Sequence, residues 1–384
     1  CTTSALARQS TNTRPCKPLY RTVRRSGVAV SAGVVGSGDA GCVGASGCHA
    51  GLLEVGAQVD DLRWEPIGTG QVGDSVRFHL TGGDVPPTLA GKFAAADAAS
   101  RGTAAMFGLY RKEVEFYRQI APLVDCRVPR VYFAEVDESG ASFILLFEDM
   151  GPARQGDQIS GCALADARAA IWQAAALHAP SWQRRDLLEA EWIAPPADLR
   201  ERLGAMYPQA QAIFHERYAE LLEPEYMALC HQLAEASASW FGREAEPQCI
   251  VHGDFRLDNM LFDIRGGSEP IAVLDWQTVA TGRPMTDVGY FLGCGVGEAL
   301  WRDHEEDLLA LWLGEMAARG VSLSRDEIEQ DYRLGILHGV STAVFSAAFV
   351  ERTERGDANF LSMARGACSL ALARESIEAL KEAI

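Results

Sequence analysis

Three polar side chains stand at fixed spacing in the C-terminal half of the chain. Residues 252–254 read His-Gly-Asp, and Asn259 follows Asp254 by five positions. A short apolar run at 271–274, typical of a buried strand, then ends in Asp275. The spacing of Asp254 and Asn259 is that of a kinase catalytic loop, and a carboxylate that follows a strand can reach Mg²⁺ bridging nucleotide phosphates. The pattern therefore predicts a phosphoryl-transfer centre.

A purely structural interpretation of the same residues is open. Gly253 and Asp254 could form a turn in which the aspartate bonds its own backbone. Asp275 could cap a helix that follows the strand. The polar residues found upstream favour phosphoryl transfer over both alternatives.

Length, composition and charge exclude several classes of protein. The 384 residues are enough for two lobes with buried cores, and a hydrophobic content of 48% with 23% charged residues is ordinary for a soluble protein. The chain has no apolar run of about 18 residues, so we expect no transmembrane helix and no membrane partner. The net charge of −17 argues against a nucleic-acid partner. The sequence does not indicate an oligomeric state.

The negative charge is concentrated after residue 150. An acidic C-terminal part could favour a cationic substrate, but a solvated acidic face explains it more simply. The ten cysteines form no C-x-x-C pair, which is the spacing of zinc and redox sites. We interpret them as reduced, buried residues of a cytoplasmic protein.

Residues 1–55 differ in composition from the rest of the chain. They are rich in Ser, Thr, Gly and Arg and poor in acids, and we expect a disordered or artefactual extension. An organelle transit peptide is the alternative. Residues 36–41 match G-x-G-x-x-G, but the glycine-rich stretch that follows cannot form the helix that a dinucleotide site needs. We therefore reject that match.

A second glycine motif, with Gly68, Gly70 and Gly73, precedes an alternating run that predicts a strand. Such a loop lets backbone amides approach ATP phosphates, although a tight turn between two strands has the same sequence. Lys92 lies in the next predicted strand and is one of only four lysines beside 31 arginines. A compact ammonium suits the α- and β-phosphates, so we expect Lys92 to bind them, a solvent-facing lysine being the alternative.

A helix predicted over 103–120 supplies the partner of Lys92. Glu113 is the favoured partner because Met106 and its helical neighbours are expected to face the core, whereas Glu115 is expected on the solvated face. After two further strands, the backbone from Glu148 to Met150 is expected to join the lobes and contact the adenine edge.

The remainder of the chain has helical periodicity. Helices are predicted over 164–178 and near 197–221, 224–241, 298–319 and 326–380, with breaks at Pro224, Gly320 and Gly356. We expect His178 to be a buried, hydrogen-bonded core residue. Core packing is also the favoured role for the tryptophans that could line a substrate pocket: Trp182, Trp192 and Trp240.

These motifs together resemble the aminoglycoside phosphotransferase and choline kinase superfamily, and within it the ecdysteroid kinase-like small-molecule phosphotransferases look most similar. The resemblance covers about residues 60–384. It implies an α+β, protein-kinase-like two-lobe fold: an N-lobe at 56–150 with an antiparallel sheet and a helix, and a mostly helical C-lobe at 151–384. The sequence departs from protein kinases by having His-Gly-Asp and Asp-Trp-Gln at 275–277.

The resemblance also implies a role for each motif residue. Asp254 would be catalytic, orienting the substrate hydroxyl, while Asn259 and Asp275 would hold Mg²⁺. His252 would brace the catalytic loop, and Asp287 would support that loop from a helix start, a plain helix cap being the alternative.

We therefore expect an ATP- and Mg²⁺-dependent phosphotransferase that acts on a small hydroxylated molecule. A catalytically silent nucleotide-binding scaffold is the alternative from another class, and a dinucleotide oxidoreductase would rest on residues 36–41 alone. The acceptor is left open among an amino sugar, an amino alcohol such as choline, a sterol-like alcohol, and a hydroxy acid or its acyl thioester.

Overall fold

The computed structural model describes residues 59–67, 73–243, 246, 248–350 and 352–383. The N-terminal part of this range is a five-stranded antiparallel sheet in the order β1-β2-β3-β5-β4. Alternate residues of β2 are buried, as the sequence pattern predicts. The strands are β1 (Val59–Pro66), β2 (Gly73–Gly82), β3 (Thr88–Ala94), β4 (Val131–Val136) and β5 (Phe143–Glu148).

The helical segment after β3 is broken, and the prediction of one helix over 103–120 is wrong. Helix α1 (Ala98–Met106) ends before Gly108, which has a φ of +66°. Helix α2 (Leu109–Glu115) then continues as a π-helical turn. The break changes which face is buried, so Met106 is 71% exposed instead of facing the core.

Two small sheets lie between the N-terminal sheet and the helices. One has the order β6-β8-β9 and the other pairs β10 with β7. A single turn at Ile264–Gly267 joins β8 to β9, with positive φ angles at three of its residues. The strands are β6 (Arg154–Gln155), β7 (Cys249–Val251), β8 (Met260–Asp263), β9 (Glu269–Val273) and β10 (Ala280–Gly282).

Helices make up most of the chain after β6. The helix expected over 164–178 has those bounds, but the segments near 224–241 and 326–380 each divide into shorter helices. Gly356 lies in the first turn of a helix rather than at a break. The helices are α3 (Leu164–His178), α4 (Arg185–Leu188), α5 (Leu199–Tyr218), α6 (Pro224–Glu235), α7 (Ser237–Gly242), α8 (Met285–Tyr290), α9 (Glu298–Ala318), α10 (Arg325–Phe349), α11 (Glu354–Ala373) and α12 (Ser376–Glu382).

The largest apolar core lies among these helices and extends under the N-terminal sheet. Trp276 is fully buried there and stacks on Phe116 with ring centroids 3.8 Å apart, which ties the segment after β9 to the segment after α2. The expected α+β class, with an antiparallel N-terminal sheet and a mostly helical C-terminal part, is confirmed. In the described ranges, no helix is long and apolar enough to cross a membrane.

Candidate active site

The His-Gly-Asp segment is a tight loop between β7 and β8. Gly253 has a φ of +80°, and a Cβ at this position would lie 2.6 Å from the carbonyl oxygen of Thr278. Only glycine fits both the dihedral and the space. The backbone N–H groups of His252 and Gly253 donate to the Asp287 carboxylate at 2.7 and 2.9 Å. The glycine and this carboxylate together fix the course of the loop.

Asp287 is itself held in a buried polar network. His178 Nδ1 accepts a hydrogen bond from Trp312 Nε1 at 3.2 Å, so His178 Nε2 carries the proton that it donates to Asp287 at 3.1 Å. Burial opposes ionisation of Asp287, but the hydrogen bonds from His178 and from the His252 backbone N–H lower its pKa. The helix-cap alternative for Asp287 is wrong, since the carboxylate receives loop amides and does not cap α8. The expected core role of His178 fits this arrangement.

His252 links the loop to the segment that carries Asp275. Its Nδ1 accepts from the Asp254 N–H at 3.2 Å, and its Nε2 donates to the Leu274 carbonyl at 2.8 Å. The Leu274 N–H in turn donates to the Asn259 carbonyl at 2.8 Å. The loop residues and Asp275 are therefore parts of one hydrogen-bonded unit, which is the bracing role that the sequence predicts for His252.

Asp254 is surrounded by hydrogen-bond donors. Arg256 Nε lies 3.0 and 3.1 Å from its two oxygens, the Tyr290 hydroxyl donates at 2.8 Å, and Asn259 Nδ2 donates at 2.8 Å. Burial alone would raise the pKa of Asp254, but the charge of Arg256 and the Tyr290 hydrogen bond lower it to about 2. A carboxylate with so low a pKa is a weak base, suited to orienting a hydroxyl and not to removing its proton early.

Asn259 and Asp275 leave oxygen atoms available to a cation. Asn259 directs its Nδ2 to Asp254, so its Oδ1 points elsewhere. Asp275 has a left-handed backbone with a φ of +61°, its side chain is 44% exposed, and its Oδ1 accepts from Lys92. One amide oxygen and one carboxylate suit Mg²⁺, which takes few protein ligands together with phosphates and waters. No group of three or more His, Cys, Asp or Glu residues that could hold a metal occurs in the described ranges.

Lys92 connects the N-terminal sheet with this unit. Its Nζ donates to Glu113 at 2.8 Å and to Asp275 at 2.9 Å. Burial alone would lower the pKa of Lys92, but the charges of Asp275 and Glu113 raise it above its ordinary value, so the ammonium stays charged. Glu113 is 1% exposed and is the residue paired with Lys92, whereas Glu115 binds Arg118. The alternative of a solvent-facing Lys92 is wrong.

The glycine motif is only partly described. Gly68 and Gly70 lie outside the described residues, and so does the rejected motif at 36–41. Gly73 begins β2, and a Cβ there would lie 2.9 Å from the Phe93 carbonyl oxygen and 3.6 Å from the Lys92 side chain. The start of β2 therefore packs directly on the phosphate-binding candidate Lys92.

The predicted adenine contacts use atoms with other partners in this structure. The Glu148 N–H donates to the Arg130 carbonyl, and its carboxylate binds Arg127 at 2.7 Å and also Arg265. The Met150 carbonyl accepts from the Arg265 N–H at 3.1 Å. A nucleotide contact by Glu148 and Met150 stays a prediction.

A cavity of about 500 Å³ opens beside Asp254. Its walls come from the catalytic loop, from β10 and from α8, α10 and α11, and they combine apolar side chains with hydroxyl groups. Arg256 and His338 also line it, and His338 donates to the Gly253 carbonyl at 2.8 Å. Burial lowers the pKa of His338, which keeps the imidazole neutral near pH 7. The cavity places a space for a small molecule against the candidate catalytic carboxylate.

Comparison with known families agrees with this geometry. A family model described as "Phosphotransferase enzyme family" matches residues 85–321, which is more than half of the chain. The chain belongs to this phosphotransferase family. The broader superfamily assignment made from the sequence is thereby confirmed, while closeness to the ecdysteroid kinase-like branch stays a prediction.

Solved phosphotransferase structures are similar in fold. An aminoglycoside phosphotransferase in complex with GDP and kanamycin aligns over 85% of this chain and 93% of its own, with a TM-score of 0.50 and 14% identity. A choline kinase from Cryptosporidium parvum covers 82% of this chain and 89% of its own, with a TM-score of 0.48 and 11% identity. The first of these supports the kinase-like two-lobe fold and nothing finer.

Curated relatives match only a short segment. Acyl-CoA dehydrogenase family member 11 from Mus musculus is 36% identical over 73 residues, which is 17% of this chain and 9% of the relative. The chain thus spans about a tenth of the length of that much longer protein.

Four residues of this phosphotransferase site were not found from the sequence. Tyr290 follows Asp287 by three positions, so the helical period could have placed both on one face of α8. Arg256 lies two positions after Asp254, and a cation so near the candidate catalytic carboxylate could have been identified as a partner for it. His338 and Asn359 line the cavity from distant helices, and no short-range pattern identifies them.

The remaining candidates have packing roles. Trp182, Trp192 and Trp240 pack on the main core and do not line the cavity. Cys294, the cysteine between two glycines, is buried with its Sγ 3.6 Å from the Met363 carbonyl oxygen. The described cysteines form no disulfide bond.

Proposed function

We propose that the protein is an ATP-dependent O-phosphotransferase that moves the γ-phosphoryl group of ATP to a hydroxyl of a small molecule. The observation that carries the proposal is a series of contacts that connects the charged groups to the cavity. Lys92 reaches Asp275, which follows Leu274, and the Leu274 N–H binds the carbonyl of Asn259, whose side chain holds Asp254 at the cavity. The cation that would bind phosphate and the carboxylate that would bind the acceptor therefore belong to one hydrogen-bonded unit.

The chemistry follows from this placement. The acceptor hydroxyl donates a hydrogen bond to Asp254, its oxygen forms a bond to the γ-phosphorus, and the bond from that phosphorus to the β–γ bridging oxygen breaks. The hydroxyl proton passes to Asp254 late in the transfer, as the low pKa of the carboxyl demands, and then to solvent. The Lys92 ammonium offsets the charge that grows on the departing diphosphate.

Asn259 and Asp275 have oxygen atoms that suit Mg²⁺ and would hold it, and the ion would neutralise charge on the nucleotide phosphates. The choice of nucleotide needs a direct comparison, because the solved phosphotransferase named above is a complex with GDP. Both ATP and GTP belong in the test.

The test is a coupled assay of nucleoside diphosphate release over a panel of hydroxylated metabolites. We expect turnover with at least one alcohol, lost on chelation of Mg²⁺ and reduced at least ~100-fold in Asp275→Asn. Asp263→Asn is the matched control, since Asp263 lies on the neighbouring strand with a φ of +53°, which asparagine tolerates. Turnover that survives in Asp275→Asn would contradict the proposal.

One observation favours the alternative of a catalytically silent scaffold. Arg256 holds both oxygens of Asp254, so an incoming hydroxyl must share or displace this contact. The scaffold predicts that ATP raises the thermal unfolding temperature while no alcohol yields product, in the wild type and in Arg256→Gln alike. The phosphotransferase predicts product in the wild type.

A further inference from the structure

The cavity beside Asp254 carries almost no net charge. Among its described lining residues the only carboxylate is Asp254, and the only permanent cation is Arg256, which lies within 3.1 Å of both Asp254 oxygens. His338 is neutral because burial lowers its pKa. This balance contrasts with the net charge of −17 of the whole chain. An ammonium group that entered here would lose its hydration without gaining a carboxylate of its own.

The walls nevertheless offer unused hydrogen-bonding groups. Asn359 on α11 is 9% exposed, and its Oδ1 accepts no hydrogen bond from any described residue. A buried acceptor without a donor is unfavourable, and such atoms in native structures are commonly satisfied by water or a ligand. Hydroxyl side chains that make no side-chain hydrogen bond to a described residue also line the cavity: Thr281, Thr286, Thr342 and Ser346.

Apolar side chains form a further part of the lining. Val251, Ala280, Phe360 and Met363 present carbon surface to the same space. Its volume of about 500 Å³ lies within the range of about 300–1,000 Å³ that is typical of small-molecule sites. A carbon chain or ring therefore has both room and apolar contacts.

We infer that the acceptor is an uncharged alcohol with an apolar body and a second hydrogen-bond donor, and that the Asn359 amide, which lines the cavity, turns its buried and unpaired Oδ1 to receive that donor. The inference rests on the proposed function, because Asp254 must receive the hydroxyl that becomes phosphorylated. Asn359 is then a specificity-determining residue, which acts on the acceptor and not on the nucleotide.

The test compares pairs of alcohols in which an ammonium group replaces one hydroxyl of the uncharged member. The probes are propane-1,2-diol with 1-amino-2-propanol, hexane-1,6-diol with 6-amino-1-hexanol, and glucose with glucosamine. Diphosphate release with MgATP gives kcat and KM for each. We expect the uncharged member to have a kcat/KM at least ~10-fold higher, because its partner buries an unpaired ammonium.

Variants of Asn359 make the test specific. Asn359→Leu keeps the approximate shape and removes the acceptor, so the KM of the best diol rises at least ~10-fold while the KM of ATP stays within about twofold. Asn359→Asp keeps an acceptor, adds a carboxylate and shifts preference toward the amino alcohols. Gln232→Leu removes an amide from an exposed position of α6 and serves as control.

The outcomes distinguish failure of the acceptor inference from failure of the proposed phosphotransferase function. Preference of the wild type for the amino alcohols, or an unchanged diol KM in folded Asn359→Leu, overturns this inference and leaves the phosphotransferase intact. Absence of product from every probe and from the wider metabolite panel, with ATP still bound, contradicts the phosphotransferase itself and this inference with it.

Discussion

The two sides of the candidate active site are built from different kinds of residue. The proposed nucleotide side joins Lys92, Glu113 and Asp275 by contacts of 2.8 and 2.9 Å, so it is ionic. The proposed acceptor side is a cavity of hydroxyl and apolar groups in which the charge of Asp254 is balanced by Arg256. Binding of charged phosphates needs fixed ions, whereas the inferred acceptor would be selected by neutral groups. Variants on the two sides should therefore fail in different ways.

The largest expected effect is on the free energy of unfolding and comes from the ion pair of Lys92 and Glu113. Lys92→Met leaves Glu113 buried without its cation, and removal of one partner from a buried ion pair costs about 3–5 kcal/mol. Lys92→Met/Glu113→Leu should regain most of that stability and none of the activity. Chemical denaturation and a turnover assay on both variants check this. Equal stability of the single variant and the wild type would show that the pair is solvated and not structural.

The next largest effect is on turnover, and it concerns Asp254, where the two sides of the site meet. Asp254→Asn should lower kcat by at least ~100-fold, because it removes the group that orients the hydroxyl. Asp263→Asn again serves as the folded control. Steady-state kinetics at saturating nucleotide provide the measurement. A loss confined to acceptor KM would mean that Asp254 binds the acceptor without orienting it for transfer.

A smaller effect concerns the ionisation of Asp254. Its pKa of about 2 keeps it charged, so kcat at saturating MgATP should not depend on this group between about pH 5 and pH 8. Arg256→Gln removes the guanidinium that lowers the pKa. The pKa of Asp254 then rises, the carboxylate is protonated as the pH falls, and kcat should drop about tenfold more than in the wild type between pH 8 and pH 5. Arg302→Gln, at an exposed pair with Glu298, should keep the wild-type profile. If the pH profiles of kcat have the same shape in the wild type, Arg256→Gln and Arg302→Gln, groups other than Arg256 lower the pKa of Asp254.

The smallest effect tests the boundary of the cavity. Trp182 packs on the core outside it, so Trp182→Phe should change the acceptor KM by less than about twofold. A larger change in KM, with unchanged thermal stability, would place the acceptor beyond the cavity described above.

The two sides of the site also differ in how many of their residues could be predicted from the sequence. Asp254 and Asn259 lie on one loop and Asp275 lies just after the next strand pair, all within 22 positions, so their spacing identifies them. Lys92 and Glu113 lie on adjacent elements and were found from lysine scarcity and helical period. The charged chemistry of a phosphate site leaves such local signals because few residue types can perform it.

The acceptor side leaves no comparable signal. Its lining comes from β10, α8, α10 and α11, and Asn359 is one hydrogen-bonding residue among many on its helix. Which helix face turns toward Asp254 depends on packing across more than a hundred positions of sequence. The break at Gly108 was missed for a similar reason, since an isolated glycine in a helical pattern is often tolerated.

We expect nucleotide binding and acceptor binding to depend on different residues. Titration calorimetry of MgATP binding to three variants tests this expectation most directly. Lys92→Met and Asp275→Asn should each bind MgATP at least ~10-fold more weakly than the wild type. Asp254→Asn should bind it as the wild type does while its phosphoryl transfer is lost. Equal weakening in all three, or wild-type affinity in Lys92→Met and Asp275→Asn, would contradict the account.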